Sequence, residues 1–287
     1  MSLSEYAQLH ATPNSQTPPP DENDSTDSLD TTDEPGESSS PEFETGNPDT
    51  AESSSPDNAS GTTVNGTQLT GAALNGLSQQ ELRYTLDENF YYEPLSDNLR
   101  RYITGVSYPA QTEDSQEPEI TLDELRYIHI LHYDFDGNPT EGELICNEAI
   151  AQDLVEIFYE LYRNEYQLER VLLIDEYDGD DTASMEDNNT SCFNYCIAEG
   201  TSSLSKHALG LAIDVNPFYN PYITYNKDGS ENVSPATAEF YADRSASFPY
   251  KIDENDLCYK LFTQHGFIWG GNWNSSKDYQ HFQKTLH

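Results

Sequence analysis

Two histidines and an aspartate have the types and spacing of metal ligands. His207 lies shortly before Asp214 in the segment SKHALGLAIDVNP, residues 205–217. If 210–215 is extended, its larger apolar side chains alternate to one face, and Asp214 points to the other face beside the small Ala212. This arrangement leaves room for an ion next to the carboxylate, within reach of the His207 imidazole.

A third ligand is needed, and the segment DYQHF near the C-terminus offers His281. Zinc prefers four ligands in a tetrahedral arrangement, and catalytic sites keep one position for water. We therefore predict a zinc site formed by His207, Asp214 and His281. Asp278, three residues before His281, is predicted to take a proton from the water that the metal activates. Each residue alone would more often be an ordinary hydrogen-bonding side chain, but together they favour a metal site.

The elements that must position these residues indicate an α+β fold, in which a small antiparallel sheet flanked by helices carries the zinc site. Alternation predicts a strand over 125–133, and Asn147 is expected to cap a helix that runs to about Arg163. A short buried strand is predicted over 171–174. A second helix is predicted from Asp253 or Glu254 to His265, stopped by Gly266.

The first quarter of the chain differs in composition from the rest. Residues 1–75 contain no Lys or Arg and are rich in Ser, Thr, Pro and acidic residues. Such a segment buries too little apolar surface to offset the entropy of ordering, so we predict a disordered acidic tail or tether. The folded domain that carries the zinc site is then expected over 76–287, including a lead-in at 76–120 with little regular structure.

Charge excludes some classes of partner. The chain has 52 acidic and 13 basic residues, a formal charge of −39. Nucleic-acid binding relies on clustered Lys and Arg, so we exclude it. No apolar run reaches the ~20 residues that a membrane-spanning helix requires, and no signal peptide is visible. We expect a monomer.

Four cysteines lack metal-knuckle spacing. Cys192 and Cys196 could form a local disulfide or serve as small core residues, and we favour the core. The acidic segments 134–137 and 175–181 could attract calcium, but a turn and a solvated loop are the better interpretations.

The combined motifs resemble the zinc D-alanyl-D-alanine carboxypeptidase family, which includes vancomycin-resistance carboxypeptidases and related phage endolysins. The family pattern is S-x-H-x-x-G-x-A-x-D, followed much later by D/E-x-x-H. The fixed positions are filled here by Ser205, His207, Gly210, Ala212, Asp214, Asp278 and His281. The resemblance covers about 85–287, and it implies zinc ligands His207, Asp214 and His281, with Asp278 as general base.

The resemblance also implies a substrate and a location. Family members hydrolyse peptidoglycan stem peptides, commonly between two terminal D-alanines, so we expect an extracellular or cell-surface enzyme. The candidates for substrate binding are Ser205, Ser191, Asn194, Trp269 and Trp273.

One position departs from the family. Cys196 stands where we expect an arginine that holds the substrate carboxylate or the developing oxyanion, and losing such a donor could cost ~3 kcal/mol of transition-state stabilisation. Ser191, Asn194 or Lys206 could replace it. Two alternatives therefore stay open: a non-catalytic zinc-containing cell-wall binding module, and a peptidoglycan endopeptidase with the same metal site.

Overall fold

A computed structural model describes residues 82–112, 117–196 and 203–286, together with the short antiparallel strands Thr63–Val64 (β1) and Thr67–Gln68 (β2). These residues belong to one unit, Gly61–His287. Apart from β1 and β2, the acidic tail predicted over 1–75 lies outside the described residues.

The largest sheet has four antiparallel strands in chain order. They are Tyr84–Asp87 (β3), Phe90–Pro94 (β4), Leu125–Tyr133 (β5) and Pro139–Asn147 (β6). The strand predicted over 125–133 is confirmed, and its alternation buries Ile128 and Ile130 on one face. The turn after β5 is closed by the Asp134 carboxylate, which accepts hydrogen bonds from the backbone amides of Asp136 and Asn138.

The prediction that 76–120 has little regular structure is wrong. This segment contains β3, β4 and the helix Asp97–Ile103 (α1). β4 is fixed by pairing with β5 and by Phe90, which is buried with its ring edge-on to Tyr159 at 5.1 Å. Short strands of this kind depend on their neighbours, and a local pattern therefore indicates them weakly.

The helix predicted after Asn147 is confirmed as Glu148–Arg163 (α2). The Asn147 carboxamide oxygen accepts from the Ala149 amide at 3.0 Å and so caps the first turn. One face packs on the four-stranded sheet. The buried residues of the helix are Ile150, Ala151, Leu154, Val155, Ile157, Phe158 and Leu161.

The prediction of a short strand over 171–174 is wrong. The Val171 carbonyl accepts from the Glu143 amide, but Leu172 bonds through both backbone groups to the side chain of Asn189. A side-chain amide thus replaces a partner strand, and the chain turns at once into a 3-10 helix, Ile174–Tyr177. The segment 175–181, expected to be a solvated loop, continues from this turn into the helix Asp181–Glu186 (α3).

The predicted second helix is observed as Leu257–Gln264 (α4). It starts later than expected because the Asp256 carboxylate caps it by accepting from the Cys258 amide at 2.8 Å. It ends as predicted, with Gly266 in the left-handed region at φ +82°.

Two three-stranded antiparallel sheets follow α3 in the chain, and they confirm the α+β class. One has the order β10–β12–β7, formed by Ile268–Trp269 (β10), His281–Gln283 (β12) and Ala212–Asp214 (β7). The other has the order β11–β8–β9, formed by Ser276–Asp278 (β11), Tyr222–Tyr225 (β8) and Glu231–Ser234 (β9).

All four cysteines are free thiols. Cys192 is buried in the core, which agrees with the prediction of a core residue in place of a disulfide. Cys196 is partly buried. Across the described part of the chain, no helix is long and apolar enough to cross a membrane.

Candidate metal centre

Strand pairing brings two of the predicted ligands together. Asp214 and His281 are directly paired residues of β7 and β12. The preceding pair, Ile213 and Phe282, is fully buried in the core that α2 also enters. Because side chains alternate along strands, the apolar pair anchors the sheet and leaves the carboxylate and imidazole side by side on its other face.

His207 comes from a 3-10 turn, His207–Leu209, that rests on the start of α2. Asn147 donates from its side chain to the Leu209 carbonyl at 3.1 Å, and its backbone amide donates to the Gly210 carbonyl at 2.9 Å. Gly210 ends the turn at φ +63°, where a Cβ would lie 2.5 Å from the Asn147 amide nitrogen. Glycine is therefore required here by both conformation and space.

Three possible ligand atoms converge at this point. His281 Nδ1 lies 2.9 Å from Asp214 Oδ1 and 3.1 Å from His207 Nε2, and His207 Nε2 lies 3.3 Å from Asp214 Oδ1. A tetrahedral zinc site with bonds of ~2.0–2.2 Å has ligand atoms about 3.3–3.6 Å apart. Small adjustments would place all three around one ion. Within the described residues, this is the group of His, Cys, Asp or Glu side chains that could hold a metal.

The second nitrogen of each imidazole is also engaged. His207 Nδ1 lies 2.6 Å from the Cys192 carbonyl oxygen, and His281 Nε2 lies 3.1 Å from Gln283 Oε1. A neutral imidazole that donates its proton to an outer acceptor presents a lone pair on its other nitrogen. The inward nitrogens and the carboxylate then form an acceptor-only set, which is what a cation requires.

Electrostatics in the cluster are strongly coupled. Burial lowers the pKa of His207, but the Asp214 carboxylate outweighs burial and raises that pKa to about 9. Burial raises the pKa of Asp214, but His207 and His281 lower it by more. The net pKa of Asp214 is therefore well below its usual range. Without a metal the cluster thus retains a proton, which a bound cation would displace.

Asp278 lies beside this cluster at the end of β11. It is buried, and its Oδ1 has no hydrogen-bond partner within the described residues. Burial raises its pKa, His281 lowers it and Asp214 raises it, with a net value of about 7. A carboxylate with a pKa near neutrality can both accept and return a proton at physiological pH.

Gly270 allows Asp278 to sit this deep. A Cβ on Gly270 would lie 2.7 Å from both the Cβ and the backbone oxygen of Asp278. The turn Gly270–Asn272 therefore packs directly against the carboxylate-bearing strand. This explains why glycine follows Trp269, a requirement that the sequence pattern alone did not assign to the site.

Of the predicted substrate-binding residues, Ser191, Asn194 and Ser205 border the cluster. Ser191 forms a two-bond backbone bridge with Asp214, at 3.1 and 2.9 Å. Asn194 donates from its backbone to the His207 carbonyl at 3.3 Å. Ser205 Oγ accepts from the Ala208 amide at 3.0 Å. All three therefore hold the segments that carry the candidate ligands, and their contact with a substrate stays a prediction.

The two tryptophans occupy different surroundings. The Trp273 ring is half-buried, with its centroid 5.3 Å from that of His281, so it borders the site. Trp269 lies in the hydrophobic core and donates from Nε1 to the Tyr279 carbonyl at 2.9 Å. This placement favours a packing role for Trp269.

Cys196 occupies the position of the expected arginine. Its Sγ lies 3.3 Å from Ser205 Oγ, and burial raises the pKa of the thiol, so the side chain is neutral. The two Nη atoms of Arg244 donate to the carbonyls of Tyr219 and Ile252 and to the Asn220 side chain.

Comparison with known proteins bears on this region of the chain. Residues 199–284 match the family described as D-alanyl-D-alanine carboxypeptidase. The resemblance seen in the sequence motifs is thereby confirmed over the segment that carries all three clustered side chains and Asp278. The match supports a peptidase, and the His-Asp-His cluster agrees with metal dependence. No curated protein and no solved structure matches the chain.

Proposed function

We propose that the chain is a zinc-dependent peptidase that hydrolyses peptidoglycan stem peptides, releasing the terminal D-alanine from D-alanyl-D-alanine ends. The observation that carries this proposal is the convergence of three ligand atoms beside a buried carboxylate, one oxygen of which has no hydrogen-bond partner within the described residues. Both features lie in the segment that matches the D-alanyl-D-alanine carboxypeptidase family.

The donor set suits zinc. Two imidazole nitrogens and one carboxylate oxygen are typical of catalytic zinc sites, whereas calcium and magnesium prefer oxygen ligands alone. His207, Asp214 and His281 would hold the ion. When bound, zinc supplies Lewis acidity, which polarises a carbonyl and makes water more acidic.

Asp278 supplies the proton transfer in this proposal. Its free Oδ1 accepts a proton from the water that attacks the scissile carbonyl, and the same carboxyl then returns the proton to the leaving amine. In the metal-free protein, burial raises the pKa of this carboxyl to about 7, which favours its holding the transferred proton. Trp273 borders the space beside His281 and limits the shape of the peptide that can enter.

Substrate chemistry also determines where the enzyme acts. Because stem peptides lie in the cell wall, we propose an extracellular or cell-surface location, with the protein acting as a monomer. An internal cut in the stem or cross-link, as in an endopeptidase, would use the same metal site.

Product analysis tests the proposal. The zinc-loaded protein is incubated with a synthetic stem pentapeptide ending in D-alanyl-D-alanine, and released D-alanine is quantified, with a peptide ending in L-alanyl-L-alanine as the control. The proposal predicts D-alanine from the first peptide alone. Fragments from an internal bond would instead identify an endopeptidase.

A non-catalytic cell-wall binding module is the second candidate, favoured by the neutral Cys196 thiol at the expected arginine position. The variant Cys196→Arg distinguishes the two. If Cys196 limits turnover, the arginine variant should release D-alanine faster than the wild type. Zinc binding without any cleavage by either protein would favour the binding module.

A further inference from the structure

We infer that Gln283 is a positioning residue for the metal ligand His281: by accepting a hydrogen bond from Nε2, it directs Nδ1 toward the metal centre. This inference rests on the proposed zinc site. It goes beyond that site because it specifies which ring nitrogen binds and which side chain enforces the choice.

The strand geometry places the two side chains together. His281 and Gln283 are alternate residues of β12, so their side chains leave the same face of the sheet. Gln283 Oε1 lies 3.1 Å from His281 Nε2, on the side of the ring away from the cluster. The other ring nitrogen, Nδ1, lies 2.9 Å from Asp214 Oδ1.

Hydrogen-bond chemistry then fixes the form of the imidazole. A neutral imidazole carries one N–H, and a carboxamide oxygen can only accept. When the Gln283 oxygen is the partner, the proton is on Nε2 and the lone pair is on Nδ1. Partners of this kind typically change metal affinity by ~10–100-fold when they are removed.

The two histidines of the cluster differ in how they are held. His207 donates from Nδ1 to the backbone carbonyl of Cys192 at 2.6 Å, which no side-chain substitution removes. His281 depends on the Gln283 side chain for the equivalent contact. The affinity of the site can therefore be altered by substitution at Gln283.

The backbone around Gln283 is secured independently of its side chain. Gln283 pairs with Ala212 of β7 on one side and with Ile268 of β10 on the other. A substitution that keeps the size of the side chain should therefore leave the strand in place. Methionine at position 283 keeps the size of the side chain but lacks an oxygen that accepts from His281 Nε2. Glutamate keeps such an oxygen and, when ionised, cannot donate a hydrogen bond.

Zinc affinity provides the test. Dissociation constants are measured by competition with a chromophoric chelator for the wild type, Gln283→Met and Gln283→Glu, with Gln152→Met on the exposed face of α2 as a matched control. We expect Gln283→Met to bind zinc ~10–100-fold more weakly. Gln283→Glu and Gln152→Met should stay within a few-fold of the wild type, and thermal melts of the zinc-free proteins should coincide.

The possible failures are distinguishable. If Gln283→Met binds zinc as tightly as the wild type while His281→Ala does not, the inference is wrong and the zinc site stands. Equal weakening in Gln283→Met and Gln283→Glu would indicate a packing role and also overturn it. If the wild type itself binds no zinc, both the proposed function and this inference fail.

Discussion

The four-stranded sheet with α2 and the three-stranded sheet with the metal cluster are stabilised in different ways. β5 and β6 contain nine residues each, and their inner face packs on the apolar face of a 16-residue helix. β7 and β12 contain three residues each, and their outer face brings polar side chains together. The first region gains stability from apolar burial, while the second arranges groups that are costly to bury.

Besides sharing an apolar core, the two regions are joined by hydrogen bonds at Asn147. The cap of α2, Asn147, also binds the turn that carries His207, through the Leu209 and Gly210 carbonyls. The helix-capped layer therefore positions the irregular segment that carries the candidate ligand His207. Changes within one region should affect chiefly stability or chiefly chemistry, and changes at the junction should affect both.

The largest expected effect is on chemistry alone. Asp278→Ala removes the proposed proton acceptor, so kcat for D-alanine release should fall by ~10²–10⁴-fold. Zinc affinity should remain close to the wild type, and stability should not decrease, because Oδ1 is buried without a partner. Steady-state kinetics and thermal melts measure both effects. Asp136→Ala, on the exposed turn after β5, is the matched control; normal turnover by Asp278→Ala would refute the assigned role.

A variant between α2 and the four-stranded sheet should affect stability alone. Leu154→Ala leaves a cavity between α2 and the sheet and should lower the free energy of unfolding by ~2–5 kcal/mol. Zinc affinity below the melting temperature should be nearly unchanged. Urea denaturation and chelator competition provide the two readouts. A large loss of zinc affinity in this variant would show that the two regions are not separable as described.

Gly210→Ala should combine both effects. The alanine Cβ would clash with the Asn147 backbone in a left-handed conformation, so we expect a loss of stability of about 2–4 kcal/mol. The displaced turn should also move His207 and weaken zinc binding. Gly137→Ala is the matched control, because this glycine also has a positive φ but no atom lies near its Cβ position. If the two variants lost the same stability and the same zinc affinity, the contact between Gly210 and Asn147 would not position His207.

Asn147 allows the smallest and finest test. Asn147→Ala removes the helix cap and should cost about 1 kcal/mol of stability. Asn147→Asp keeps the cap but replaces the donor to the Leu209 carbonyl by an acceptor. It should therefore retain most of the stability and lose zinc affinity by a few-fold. If Asn147→Asp binds zinc as tightly as the wild type, the contact with Leu209 does not position His207.

The same contrast explains what the sequence could predict. α2 and β5 are long enough for their apolar period to be visible, and their bounds were predicted closely. The candidate ligands were found from spacing, because strand alternation places Asp214 opposite the core-facing Ile213. These predictions depend on local order that repeats over several residues.

The missed features depend on contacts between distant segments. β3 and β4 are short; β4 is defined by pairing with β5, and β3 by pairing with β4. The side chain of Asn189 replaces a strand partner for Leu172, which no local pattern reveals. In the sequence, Gln283 resembles any other polar residue of a strand until its distance to His281 is known. Its position two residues after a candidate ligand was the available signal.

Metal content of the purified protein tests the central claim most directly. The metal-free wild type and the variants His207→Ala, Asp214→Ala, His281→Ala and Asp278→Ala are exposed to a small excess of zinc, separated from free metal and analysed by mass spectrometry for zinc per chain. We predict one tightly bound zinc in the wild type and in Asp278→Ala, and loss of that zinc in each of the other three. Retention of zinc in those three variants, or its absence from the wild type, would contradict the proposed metal centre.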